Sequence, residues 1–111
     1  MIIVISSHGK TLESQPNPRF GRSSFYIKYN LEDGTWVDLE NPAVSQRGGA
    51  GVAASQFLVD HHADVAISGD FGPNAYRALN AAGIKMFTFS NNYQSIQDVI
   101  EAYQNNELEQ A

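Results

Sequence analysis

The stretch Ser68–Leu79, SGDFGPNAYRAL, constrains the fold more than any other part of the chain. An apolar run, Val65-Ala66-Ile67, stops at Gly69. Pro73 stands where a helix would begin, because its fixed φ suits the first turn and its missing N–H is not needed there. Ala75, Leu79 and Ala82 follow at helical spacing, and Gly83 supplies the left-handed residue that ends a helix. The stretch therefore reads as strand, glycine turn, helix. The N–H groups at such a helix start have no partner within the helix and attract anions. Gly69 and Gly72 could equally serve only to let the chain turn.

The rest of the chain reads around this unit. Met1–Ser6 is a strand of continuous β-branched residues, the pattern of burial on both faces. Thr11–Gly21 holds Pro16, Asn17 and Pro18 and is predicted as a polar loop, with Phe20 placed to plug it into the core. Residues 23–30 and 35–40 form a hairpin about Asp33-Gly34 at a sheet edge. Gly48, Gly49 and Gly51 precede a helix with an apolar face of Ala50, Ala53, Ala54, Phe57 and Leu58, and Asp60-His61-His62 ends it. Ala53 and Ala54 would let it lie close against a sheet. Residues 63–68 and 84–89 are further strands around a helix at 73–82. Ser95 and Asp98 form a capping-box pattern before a helix face of Ile96, Val99, Ile100 and Tyr103. Glu107–Ala111 is expected to fray. The order is β-β-β-α-β-α-β-α, a mixed α/β sheet of five strands with three helices, in a single domain over residues 1–111.

In such sheets ligands sit beyond the carboxyl ends of the strands. Three segments are expected to meet there: His8–Arg22, Gly48–Gly51 and Ser68–Asn74. The net charge is −5, from 7 basic and 12 acidic residues, which argues against nucleic acid as a partner. The charge is uneven, however. Residues 1–50 hold five basic and five acidic side chains, and residues 51–111 hold two and seven. Between His8 and Ser23, Lys10, Arg19 and Arg22 face only Glu13, so an anion would be drawn to this region. The chain has no cysteine, which excludes thiolate metal ligands and disulfides. No apolar run approaches the roughly 18 residues of a membrane span, so no membrane partner and a cytoplasmic location are expected.

The remaining motifs carry little catalytic chemistry. Gly48-Gly49-Ala50-Gly51 lacks the GK[ST] of a phosphate loop and the G-x-G-x-x-G of a dinucleotide site. It could still offer amides to an anion. His8, in the loop after the first strand, could donate to an anion or ligate a metal, or simply be solvated. His61 and His62 diverge by about 100° on a helix and are read as structural. Arginine's planar fork suits phosphate or an oxometallate, so Arg19 and Arg22 are candidate binding residues, or they only solubilise the loop. No carboxylate lies in Ile2–Ser6, where a ribonuclease-H-type nuclease needs one. An enzyme acting on a phosphorylated metabolite would have only Asp70 and His8 as acid–base groups.

Four segments in order resemble the dinitrogenase iron–molybdenum cofactor biosynthesis family. They are Asn17-Pro18-Arg19-Phe20-Gly21-Arg22, Asn41-Pro42, Gly49-Ala50-Gly51-Val52-Ala53-Ala54, and Gly69-Asp70-Phe71-Gly72-Pro73-Asn74-Ala75 with Ala82-Gly83-Ile84-Lys85. The Pro-Arg-Phe-Gly-Arg form looks closest to the orange-protein branch. The resemblance implies a ribonuclease-H-like fold. It implies a non-catalytic carrier of an anionic metal–sulfur cluster containing molybdenum, of the molybdenum–copper or iron–molybdenum type. The site it implies comprises His8, Lys10, Arg19, Phe20, Gly21, Arg22, Gly49, Ala50, Gly51, Gly69, Asp70, Gly72, Pro73 and Asn74, with His8 as the one candidate metal ligand. A cluster-assembly ATPase and a second copy of the chain are the protein partners it leaves open. Many members have His at the position of Arg19, Cys at that of Ser23, and His near Arg47 and Gly48. Without those ligands, non-covalent capture is favoured over direct coordination, and a metal-free interaction module is the alternative.

Overall fold

The computed structural model describes residues 1–90 and 92–111. Its elements run β1 (Ile2–Ser7), β2 (Phe25–Asn30), β3 (Trp36–Glu40), α1 (Ala50–Asp60), β4 (Val65–Ser68), α2 (Gly72–Ala81), β5 (Lys85–Thr88), α3 (Ile96–Gln104) and β6 (Glu109–Gln110). They form one sheet in the order β3-β2-β1-β4-β5-β6. β1 pairs parallel with β4, and β4 with β5. The β1–β2, β2–β3 and β5–β6 pairs are antiparallel. No helix among the described residues is long and apolar enough to cross a membrane.

β1 is central, as its continuous β-branched run predicts, and its two faces serve two cores. Val4 joins Tyr26, Ala66 and Met86 beneath α1 and α2. Ile3 and Ile5 join Ile27, Val65 and Ile67 beneath α3. β2 is likewise buried on both faces, with Tyr26 and Ile27 both inaccessible to solvent. The wetter edge is β3, where Trp36, Val37 and Asp38 are all exposed. The hairpin turn before it places Gly34 at φ 73°, the left-handed conformation expected of Asp-Gly.

The sheet has six strands rather than five. The tail expected to fray instead adds β6 to the free edge of β5, pairing Phe87 with Gln110 and Thr88 with Glu109. The Ala111 N–H extends the ladder to the Met86 carbonyl at 2.9 Å. An unpaired edge offers a row of free backbone groups, and a nearby segment can satisfy them. Leu108 packs against the core beside α3 and holds the tail within reach. Hydrophobic periodicity cannot reveal a strand of two residues.

The first two helices meet through small residues. Gly51 lies against α2, where a Cβ on it would stand 3.3 Å from the Ala75 Cβ. Ala54 fills the sheet side of α1, fully buried, as its small size suggests. The buried Ser55 hydroxyl donates to the Gly51 carbonyl at 2.7 Å, within its own helix. The first turns of α1 and α2 therefore come together at one end of the sheet.

Candidate functional site

Because β1 and β4 are parallel, their carboxyl ends lie at the same end of the sheet. A buried polar layer closes that end. The Ser6 hydroxyl is hydrogen-bonded to the Asn17 carbonyl at 2.6 Å and to the Ser68 hydroxyl at 2.8 Å. The Asn17 N–H returns to the Ser6 carbonyl at 2.9 Å. The segment after Asn17 then lies along Asp70, whose N–H donates to the Pro18 carbonyl at 2.7 Å and whose carbonyl accepts from the Phe20 N–H at 3.1 Å. Gly69 makes this possible, since a Cβ there would stand 2.8 Å from Pro18 Cα.

Phe20 plugs the loop into the core, as the sequence suggests, and is almost fully buried. Its ring packs against Tyr26 and Phe71, with centroids 5.5 and 5.1 Å away. The buried Tyr26 hydroxyl donates to the Phe20 carbonyl at 2.5 Å. Asn41 completes the support: its Nδ2 donates to the Ser23 carbonyl at 2.8 Å and lies 3.2 Å from the Tyr26 hydroxyl.

Burial holds the Tyr26 phenol well above its ordinary pKa of 10.0. The unfolded phenol ionises near that ordinary value while the folded one stays neutral. Its contribution to stability is thus complete below pH 10.0 and is lost as pH rises above it toward the folded value. Tyr26→Phe is expected to cost about 1–2 kcal/mol at neutral pH, because the Phe20 carbonyl loses a buried donor. It is also expected to flatten the fall in stability at alkaline pH. Urea unfolding of both proteins at neutral and alkaline pH measures the two effects, and equal slopes above the phenol's ordinary pKa would refute the assignment.

With Phe20 fixed, Gly21 lies so close to α1 that a Cβ on it would stand 3.1 Å from Gly51 Cα. Gly21, Gly51 and Ala75 thereby stack three segments side by side. The result is a cavity of about 340 Å³ lined by Arg19, Phe20, Gly21, Arg22, Ala50, Gly51, Asp70, Phe71, Gly72, Pro73, Asn74 and Ala75. Neither helix start at the cavity is capped by the side chain of its own N-cap residue, and neither has an acidic residue in its first turn. By contrast, the start of α3 is closed. Ser95 accepts from the Asp98 N–H, and the Ile96 and Gln97 N–H groups donate to the carbonyls of Ser14 and Leu12. Asp70 closes part of the α2 start, its Oδ1 accepting from the Gly72 N–H at 3.2 Å. The Arg19 guanidinium makes no hydrogen bond among the described residues, while Arg22 Nη1 donates to the carbonyls of Val44 and Gln46.

The structure thus brings together Arg19, Phe20, Gly21, Arg22, Ala50, Gly51, Asp70, Gly72, Pro73 and Asn74. Gly49 stands one residue outside, at the α1 N-cap with φ 70°. Gly69 lies under Pro18 rather than on the cavity wall. His8 and Lys10 are not among the lining residues, because the loop divides. Residues 11–15 cover α3 through the Leu12 and Ser14 carbonyls, and only the later part turns toward α1 and α2. The exposed His8 bonds by its backbone to Gln15, and Lys10 Nζ lies 5.4 Å from the centre of the Phe25 ring. No group of three or more metal-ligating side chains occurs among the described residues. Phe71 and Ala75 also line the cavity and are not among the site residues the sequence suggests, although Phe71 stands out in it as an aromatic set between Asp70 and Gly72. Asn41 was visible only as part of a motif, with no role attached.

Sheet order, helix placement and this cavity define a small mixed α/β protein that gathers two helix starts and two arginines at one end of its sheet. The chain belongs to the dinitrogenase iron–molybdenum cofactor family, whose sequence profile matches residues 1–106. Among solved structures it is similar to the apo form of the orange protein from Desulfovibrio gigas, with a TM-score of 0.94 and 26% identity over 99% of this chain and 92% of that one. It is also similar to a putative NifB protein from Thermotoga, with a TM-score of 0.86 and 32% identity over 98% of this chain and 91% of that one. Comparison with the sequences of curated proteins gave no match.

Proposed function

We propose that the protein binds and carries an anionic metal–sulfur cluster, or a thio- or oxometallate, without turning it over. The observation that carries this reading is the cavity itself, where Arg19 and Arg22 stand beside the starts of α1 and α2. Partial positive charge at a helix start and a fixed guanidinium both favour an anion. Asp70 offsets part of this attraction at α2, so the α1 start and the two arginines carry most of it. The donor set consists of N–H groups and guanidinium, with no thiol in the chain. Such a set suits a preassembled anion held by charge and hydrogen bonds, and does not suit stepwise building of a cluster on protein ligands. Membership of the family supports a cargo containing molybdenum, of the molybdenum–copper or iron–molybdenum type. We also read the sheet as ribonuclease-H-like and the site of action as the cytoplasm.

Anaerobic titration with tetrathiomolybdate, with and without copper, tests the reading. After desalting, a saturable visible chromophore and a matching metal content are expected to remain with the protein. No retained metal under any condition would overturn the carrier role. The alternative would then be an interaction module for a partner such as a cluster-assembly ATPase.

A further inference from the structure

Arg22 is not a free cation in the cavity. Its Nη1 donates to the Val44 carbonyl at 3.4 Å and also to the Gln46 carbonyl. The Gln46 side chain carries the contact onward, donating from Nε2 to the Gly48 carbonyl at 2.7 Å. Gly49 follows in a left-handed conformation, and its carbonyl accepts the Ala53 N–H at 2.9 Å within α1. Ala50 and Gly51, the next two residues, line the cavity. From Val44 to Gly49 every residue is exposed. Among the described residues, the segment's hydrogen bonds beyond itself and α1 are the Gln46 N–H donating to the adjoining Ala43 carbonyl at 3.0 Å and the two from Arg22, and only those from Arg22 reach it from the cavity wall.

A guanidinium carries five N–H donors in a rigid plane. In Arg22 the bonds to the segment use Nη1, and no other hydrogen bond of its Nε or Nη2 occurs among the described residues. One side chain can therefore hold an anion and the segment together. We infer that Arg22 is a positioning residue that couples the occupant of the cavity to the order of residues 44–49. The inference rests on the anion-binding reading above. An anion on the free donors fixes the guanidinium, and a fixed guanidinium restrains the carbonyls it already holds. Filling the cavity stiffens an exposed segment, and emptying it loosens that segment. A partner protein could thus sense whether the carrier is loaded.

Arg47 lies in the exposed segment and provides a trypsin site within it. Cleavage at Arg47, followed by mass spectrometry with tetrathiomolybdate as the probe, reads the coupling. Saturating anion is expected to slow cleavage of the wild type about tenfold, equivalent to about 1.4 kcal/mol. Arg22→Ala should be cut faster without anion and gain no protection at any anion concentration. Arg22→Lys keeps the charge but not the fork, so it should bind the anion yet show little protection. Arg19→Ala should be cut at the wild-type rate without anion and be fully protected once saturated. A purely structural role for Arg22 would change the anion-free rate and leave the protection ratio intact. Protection that persists in Arg22→Ala, or a wild type that binds the anion without protection, would overturn the inference alone. A wild type that binds no anion would overturn the function reading and the coupling with it, and the anion-free rates would still show whether Arg22 holds the segment.

Discussion

Gly69→Ala is expected to destabilise the protein by about 3 kcal/mol, the upper part of the usual range for overpacking a close contact. The added Cβ would stand 2.8 Å from both Cα and Cβ of Pro18 and 2.9 Å from its carbonyl oxygen. These are mostly backbone atoms, and Pro18 cannot swing aside without breaking the bonds between its segment and Asp70. Losing that seating would also displace Phe20 and the cavity wall that follows it. About 3 kcal/mol is a large share of the 5–15 kcal/mol that holds a typical domain together. Gly48→Ala provides the control, because a Cβ there meets nothing within 4 Å. Urea midpoints for the two variants make the comparison. A Gly69→Ala midpoint indistinguishable from wild type would mean that residues 17–20 do not rest on the end of β4.

Arg19→Ala is expected to weaken binding of tetrathiomolybdate roughly 10- to 100-fold, the loss of about 1.5–3 kcal/mol usual for a hydrogen bond to a charged group. Stability should hardly change, because this guanidinium makes no other hydrogen bond among the described residues and the side chain is exposed. The loss should shrink as salt rises, since an exposed charge is screened over about 8–10 Å at moderate ionic strength. Arg19→Lys should recover part of the affinity through charge alone. Equal affinity for wild type and Arg19→Ala would remove Arg19 from the site and leave the helix starts as its main attraction. The paired substitutions separate two roles within one short motif: Arg19 meets the anion, and Arg22 both meets it and holds the neighbouring segment.

Much of the site is legible in local sequence, because the relevant signals are short-range. Pro73 and Gly83 mark α2 through backbone preferences that need no partner, and the Gly48–Gly51 cluster marks the start of α1. The destination of the loop after β1 is different in kind. Lys10, Arg19 and Arg22 form one basic region along the chain, yet Lys10 lies against Phe25 and the arginines reach the cavity. Charge along a sequence does not say on which side of a sheet each residue will fall. That was decided by the Leu12 and Ser14 carbonyls accepting N–H groups at the start of α3 and by Pro18 lying against Gly69.

The sequence by itself determined the succession of strands and helices, the central place of β1, the left-handed turns at Gly34 and Gly83, and the absence of thiolate ligands. These follow from side-chain pattern, backbone sterics and composition, which act within a few residues. Only the tertiary structure decided that β6 closes the edge of β5, that α1 and α2 meet at Gly51 and Ala75, and that Arg22 is tied to Val44 and Gln46. Each of these joins residues more than 20 positions apart in the chain. Such contacts depend on the close approach of backbones and on which free N–H and carbonyl groups remain to be satisfied after the sheet has formed.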